Sequence, residues 1–228
     1  MMSDPAPPRQ LSLPLGHRES FDRSDFLCGP SNETALALID GWTDWPARAI
    51  ALIGPEGSGK SHLAAIWAKA AGARVIASGA IDARLVPEAL ASGALAIEDA
   101  DRGAFDEAAL FHLLNLAREQ MAYILITARQ APVGWPTRLP DLASRLRALP
   151  VATLDPPDDA LLAAVLVKLF ADRQLAVDAR LIAFLVHRIE RSFAAARAAV
   201  AELDREAMRL QRPVSRALAA EILRRRSP

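Results

Sequence analysis

Residues Gly54-Pro55-Glu56-Gly57-Ser58-Gly59-Lys60-Ser61 fit the pattern G-x-x-x-x-G-K-[ST] at every position, and their flanks restrict what the chain can fold into. Ahead of them, Arg48-Ala49-Ile50-Ala51-Leu52-Ile53 is a short apolar run suited to a buried strand. Behind them, Ser61-His62-Leu63-Ala64-Ala65-Ile66-Trp67-Ala68 reads as helix. A strand, a glycine turn and a helix start converge several backbone N–H groups on one point, and the helix N-terminus adds partial positive charge, so the site suits phosphate. Gly54, Gly57, Ser58, Gly59 and His62 are the candidate cradle. Lys60 is expected to reach the β- and γ-phosphates, and the Ser61 hydroxyl to ligate Mg²⁺. The expected ligand is a purine nucleotide, ADP or ATP.

At 228 residues the chain can bury one sizeable core and a small second domain. Its 27 basic and 27 acidic residues cancel, which argues against broad electrostatic capture of a nucleic-acid backbone but leaves room for a narrow basic path. The single cysteine, Cys28, rules out an internal disulfide and suits a reducing cytosol. No apolar run approaches the roughly 20 residues of a membrane span. The Pro-rich N-terminus lacks the basic-then-apolar order of a secretory signal. A soluble cytoplasmic protein, with no membrane partner, is expected.

Pro5, Pro7, Pro8 and Pro14 fall in a stretch without helical or strand period, so residues 1–20 are expected to form a flexible arm, with order beginning near Phe21 and Phe26. Ser31 is the candidate N-cap of a helix running to Gly41. Apolar segments at 49–53, 73–77, 94–98, 122–127 and 150–154 alternate with helical spacing at 60–71, 82–92 and 106–120. This alternation predicts an α/β fold, a parallel sheet covered by helices, with ligands at the carboxyl ends of the strands. After Asp155-Pro156-Pro157 only helices are expected: Asp158 to Arg173, then 178–190 with Asp178 as N-cap, 192–211 and 215–226. The predicted division is an arm to 20, a nucleotide domain at 21–156 and a helical lid at 157–228.

Phosphate-loop proteins need a carboxylate at the end of a neighbouring strand for the metal shell, and hydrolytic ones need a group that orients water. Leu95-Ala96-Ile97-Glu98-Asp99 supplies both acids, Glu98 in the metal position and Asp99 facing the water. Glutamate is one methylene longer than the usual aspartate, which can loosen the near-octahedral geometry Mg²⁺ demands. Thr127 closes the next strand, either to sense the γ-phosphate or simply as a strand-end residue. Arg145, with Arg147 as the spare, lies on a short helical piece before the last strand and projects away from its own nucleotide. It suits an arginine finger for a neighbour's phosphate; a surface salt bridge is its competing role.

Taken together these residues resemble the AAA+ ATPases, and within them the family of the bacterial replication initiator DnaA. The resemblance covers about residues 21–224: the phosphate loop, Ile97-Glu98-Asp99, Phe111-His112-Leu113-Leu114-Asn115, Ser144-Arg145, and the lid opening after Pro156-Pro157. It implies an AAA+ sheet followed by an all-helical lid. Departures count as well. The helix-turn-helix domain that initiators carry after the lid is expected to be missing, and DNA contact to be indirect. The initiator's Asp after the sensor threonine is replaced in Thr127-Ala128-Arg129. The second-sensor arginine of the family falls near Ala194 or Ala195, with Arg191 and Arg197 on either side and Arg197 the candidate. Nucleotide binding is therefore expected, and brisk self-hydrolysis is not.

One peptide in the arm, Gln10-Leu11-Ser12-Leu13-Pro14-Leu15, resembles the hexapeptide by which bacterial proteins dock on the replicative sliding clamp. Gln10 offers amide hydrogen bonds, the three leucines are apolar anchors, and Pro14 keeps the peptide extended. Clamp docking joined to a DnaA-like module implies a regulatory relative that stimulates ATP hydrolysis by DnaA and limits initiation. A trans arginine implies head-to-tail packing, while self-association as a homodimer or oligomer could instead mask that surface. Two other readings stay open: a stand-alone ATPase of the helicase-loader kind, and a clamp adaptor that uses nucleotide only structurally.

Overall fold

Five short apolar segments become the strands β1 (Ala49–Ile53), β2 (Arg74–Ala77), β3 (Ala94–Glu98), β4 (Tyr123–Ala128) and β5 (Val151–Thr153). The computed structural model describes residues 22–45, 47–102 and 105–226; the arm and its hexapeptide lie outside them. All neighbouring strands pair in parallel, in the order β2-β3-β4-β1-β5. The predicted parallel α/β sheet is the observed one. Strands this apolar on both faces need cover on both. Alternation sends Ile50, Leu52 and Leu125 to one side, against Ile39, Leu63 and Trp67. It sends Leu95, Ile97, Ile124 and Ile126 to the other, against Leu110, Leu113 and Leu142.

The covering helices are α1 (Glu33–Asp40) and α2 (Lys60–Ala71) on the first face, then α3 (Val86–Ala89), α4 (Glu107–Glu119) and α5 (Pro140–Arg147) on the second. Two expectations need correction. The helix expected over 82–92 is confined to α3, because the Asp82 carboxylate accepts from the N–H groups of Arg84 and Leu85, both at 2.9 Å, and stabilises a turn instead. Ser31 is not the N-cap of α1; Asn32 is, and its side chain is spent on the preceding loop, accepting from Gly29 N–H and donating to the Leu27 carbonyl at 2.9 Å each.

Beyond Pro157 the chain is helical: α6 (Asp159–Asp172), α7 (Ala179–Val186), α8 (Phe193–Leu210) and α9 (Arg216–Arg226). Their shared core includes Leu166, Phe170, Leu185, Val200, Leu203 and Leu218. Asp158, Asp178 and Ser192 cap α6, α7 and α8 through side-chain bonds to Leu161, Leu181 and Ala195 N–H, each worth about 1 kcal/mol. The helix expected over 178–190 stops at Val186, since the chain must turn before Ser192 restarts it. Among the described residues no helix is long and apolar enough to cross a membrane.

Candidate phosphate-binding site

The loop between β1 and α2 gathers Gly54 to Ser61 at the carboxyl end of a central strand. Gly59 caps α2 in the left-handed region at φ 98°, which only glycine adopts cheaply. At Gly54 an added Cβ would stand 2.4 Å from the Leu154 carbonyl, so the loop passes too close to β5's end for any side chain. The amide groups of Lys60, Ser61 and His62 open α2, where no intrahelical acceptor exists for them.

Lys60 is 8% exposed and curls back, donating from Nζ to the carbonyls of Gly54 at 2.7 Å and Pro55 at 2.8 Å. Burial pushes its pKa below the ordinary lysine value, partly offset by the nearby Asp99 charge. Such an ammonium gains from any anion that enters the loop. The Ser58 hydroxyl is buried in the same loop without a hydrogen-bond partner among the described residues. Ser61 is exposed on the first turn of α2, while the His62 ring meets Phe26 edge-on at 5.3 Å. The donor set and the glycine cradle suit a phosphate chain.

Glu98 ends β3, half-buried, and Asp99 follows at φ 57°. Left-handed backbone at a non-glycine residue costs about 1–2 kcal/mol, and three contacts hold it. The Asp99 N–H donates to Thr127 Oγ1 at 3.1 Å, its carbonyl accepts from Ser78 at 3.0 Å, and its carboxylate pairs with Arg102 at 3.5 Å. The buried Thr127 hydroxyl thus links the ends of β3 and β4. Among the described residues there is no group of three or more His, Cys, Asp or Glu side chains that could hold a metal by themselves. Ser61, exposed on the first turn of α2, and Glu98, at the end of β3, carry oxygen donors of the kind Mg²⁺ takes.

Two features were not read from the sequence. Arg129 pairs with Glu56 at 2.6 Å, and its N–H donates to Asp101 at 2.9 Å, which ties the end of β4 to the phosphate loop. Its position just after the strand-end Thr127 was the available signal. The second is the start of α8, which lies on the loop itself. Phe193 N–H donates to the Gly57 carbonyl at 2.8 Å, and the Phe193 ring is 3.4 Å from where a Gly59 Cβ would stand. Ala194 is therefore at the loop, and Arg197 is a helical turn further on. Arg191 is committed elsewhere, pairing with Asp159 at 2.9 Å.

The Gly57 contact supports a prediction. Gly57 has φ +74°, and an added Cβ would meet Ala194 Cβ at 2.9 Å and Ser192 Cβ at 3.0 Å. Gly57→Ala is expected to cost about 1–3 kcal/mol and to lift the first turn of α8. Denaturant unfolding and amide exchange at Phe193 check it; unchanged values for both would mean that the loop and α8 do not bear on each other.

Arg145 is not brought to this site. It projects from α5 on the second face, half-buried, with its guanidinium carbon 5.6 Å from the centre of the Phe111 ring. It lines a cavity that also includes Ala49, the first residue of β1, so it stands toward the strands' starts while the phosphate loop follows their ends.

No protein-family model matches the sequence, and no curated protein matches it. Solved structures do. Domain III of the replication initiation protein DnaA from Thermotoga maritima is similar with a TM-score of 0.75 and 20% identity, over 90% of this chain and 95% of that one. The fold is AAA+. AMPPCP-bound DnaA from Aquifex aeolicus gives 0.67 at 16% identity over 79% of this chain, which spans 64% of that longer one. The AAA+ likeness extends to the RuvB Holliday junction branch migration motor of Thermotoga maritima, at 0.68 and 13% identity over 89% of this chain and 70% of that one. At these identities the likeness is one of fold.

Proposed function

We propose that this chain is a regulatory AAA+ protein of the DnaA family, acting as Hda, the regulatory inactivator of DnaA, does. It binds ADP or ATP at Gly54, Gly57, Ser58, Gly59, Lys60, Ser61 and His62, with Ser61 and Glu98 toward Mg²⁺ and Arg197 in the lid as second sensor. Docked on the sliding clamp through Gln10–Leu15, it presents Arg145 to ATP held by DnaA and promotes hydrolysis there. DNA is met through the clamp.

Arg145 carries this reading. A guanidinium that faces away from its own phosphate loop, with no acidic partner among the described residues, suits a neighbour's phosphate better than a structural ion pair. The AMPPCP-bound DnaA structure of the same fold supports the nucleotide. Slow self-hydrolysis is supported at Asp99, whose carboxylate is turned to Arg102. The nucleotide domain at 21–156 and the lid at 157–228 then meet at the loop–α8 contact, which gives the lid a direct route to the phosphates.

Phosphate release is the test, measured for this chain alone, ATP-loaded DnaA alone, and both with clamp on DNA. Stimulation only in the full mixture is expected. Brisk turnover by the chain alone, about 1–10³ s⁻¹, would mean a remodelling ATPase. No stimulation in any mixture would leave a clamp adaptor. Replacing Gln10, Leu11 and Leu13 by Ala is expected to weaken clamp binding by about 1–3 kcal/mol and to leave ADP affinity unchanged. Surface binding to immobilised clamp checks this, and undiminished binding would put the contact elsewhere.

A further inference from the structure

Near the starts of β1 and β4, bounded by the C-terminal half of α4 and the end of α5, lies a cavity of ≈ 460 Å³. Its wall includes Arg48, Arg118 and Arg145, and no acidic residue. The bias is local, since the chain carries 27 basic and 27 acidic residues. Among the described residues none of the three arginines forms an ion pair. Three like charges around one cavity without counter-charge repel one another, and an anion relieves that cost.

Two of the three are held by neutral neighbours. Arg48 donates to the Met121 carbonyl at 3.0 Å, and its guanidinium carbon is 4.7 Å from the Tyr123 ring centre. Arg145 lies against Phe111. A guanidinium has five N–H donors, so these contacts leave most of each fork unused while limiting the side-chain freedom lost on binding. The rest of the wall includes Leu114, Ile124 and Leu149, of which Leu114 is 7% and Ile124 0% exposed. The volume falls in the range of small-molecule pockets, about 300–1,000 Å³.

We propose that this cavity binds a small organic phosphate, with its dianionic head on the three guanidinium groups and its carbon skeleton against the apolar wall. A phosphate offers several oxygens to several forks, whereas a single carboxylate satisfies one bidentate fork and leaves the remaining charge unmatched. The site is separate from the phosphate loop but shares Arg145 with the trans reading, so an anion held here would compete with presentation of Arg145 to a neighbour's phosphate.

Phenyl phosphate is the probe, titrated calorimetrically into the parent, Lys60→Ala and Arg48→Gln/Arg118→Gln proteins, with a melting curve for each. Arg145 stays in place, so failure here is distinct from failure of the trans reading. Binding is expected to persist in Lys60→Ala, where any share taken by the phosphate loop is removed, and to weaken at least about tenfold in the double variant. Inorganic phosphate and phenylacetate are each expected to bind the parent more weakly than phenyl phosphate, one lacking the apolar body and the other the dianion. If the double variant melts early, Arg118→Gln alone serves, since Arg118 is exposed on α4. Absence of binding by the parent, loss of binding in Lys60→Ala but not in the arginine variant, or phenylacetate binding as tightly as phenyl phosphate would each overturn the proposal.

Discussion

An Arg145→Ala protein is expected to fold, bind ADP and dock on the clamp, yet to lose the stimulation of DnaA hydrolysis by as much as about 10³- to 10⁵-fold. The local structure makes this separable from stability. Arg145 contacts the Phe111 ring and no carboxylate among the described residues, and a partly exposed cation–π contact is worth about 0.5–1 kcal/mol. The melting temperature should therefore fall only slightly. Arg145→Lys should fail nearly as completely, because an ammonium cannot reproduce the planar fork that spreads charge over a transferring phosphoryl group. Phosphate release from ATP-loaded DnaA with clamp on DNA, for the parent and both variants, is the measurement. A well-folded Arg145→Ala protein with full stimulation would end the assignment, and Arg147, exposed two residues further along α5, would be tested next.

Lys60→Ala should abolish nucleotide binding at micromolar ligand. Charge-assisted bonds to the β- and γ-phosphates are worth about 1.5–3 kcal/mol each, so affinity should fall by about 10²- to 10⁴-fold. Stability should change little, because the variant loses the bonds to the Gly54 and Pro55 carbonyls along with the cost of a buried ammonium. Burial lowers the Lys60 pKa, so the folded state holds the charged form at a cost. That cost is full below the folded pKa, shrinks as pH rises through the window up to the unfolded value near about 10.4, and is absent above it. Removing the ammonium at neutral pH removes the cost. Bound phosphate should raise the lowered pKa again, so binding in the alkaline part of that window takes up protons. Calorimetry in buffers of different ionisation enthalpy measures the uptake, beside melting curves for parent and variant. An unchanged ADP affinity would mean that Lys60 does not touch phosphate.

Much of the fold could be read from the chain itself. Strands buried on both faces need near-continuous apolar residues, and runs such as Ala94–Glu98 and Ala49–Ile53 carry that pattern within their own few residues. The helices after Pro157 carry theirs in apolar spacing and in Asp158 and Asp178, whose capping chemistry is local. Where local chemistry competed, periodicity misled: Asp82 satisfies two backbone donors in a turn, and the helix shrinks to α3.

The candidate site divides in the same way. The loop at Gly54 to Ser61 is contiguous, so its turn and the helix start after it follow from residues that neighbour one another in sequence. Contacts between distant segments do not. That Phe193 donates to Gly57, that Arg129 reaches Glu56, that Thr127 holds the strained Asp99, and that Arg48, Arg118 and Arg145 surround one cavity all depend on strand order and helix packing. The sequence determined the elements and the loop because their physics is short-range. Only the tertiary structure decided which side chains from separate elements share a space, because that rests on how the sheet is ordered and how its covering helices meet it.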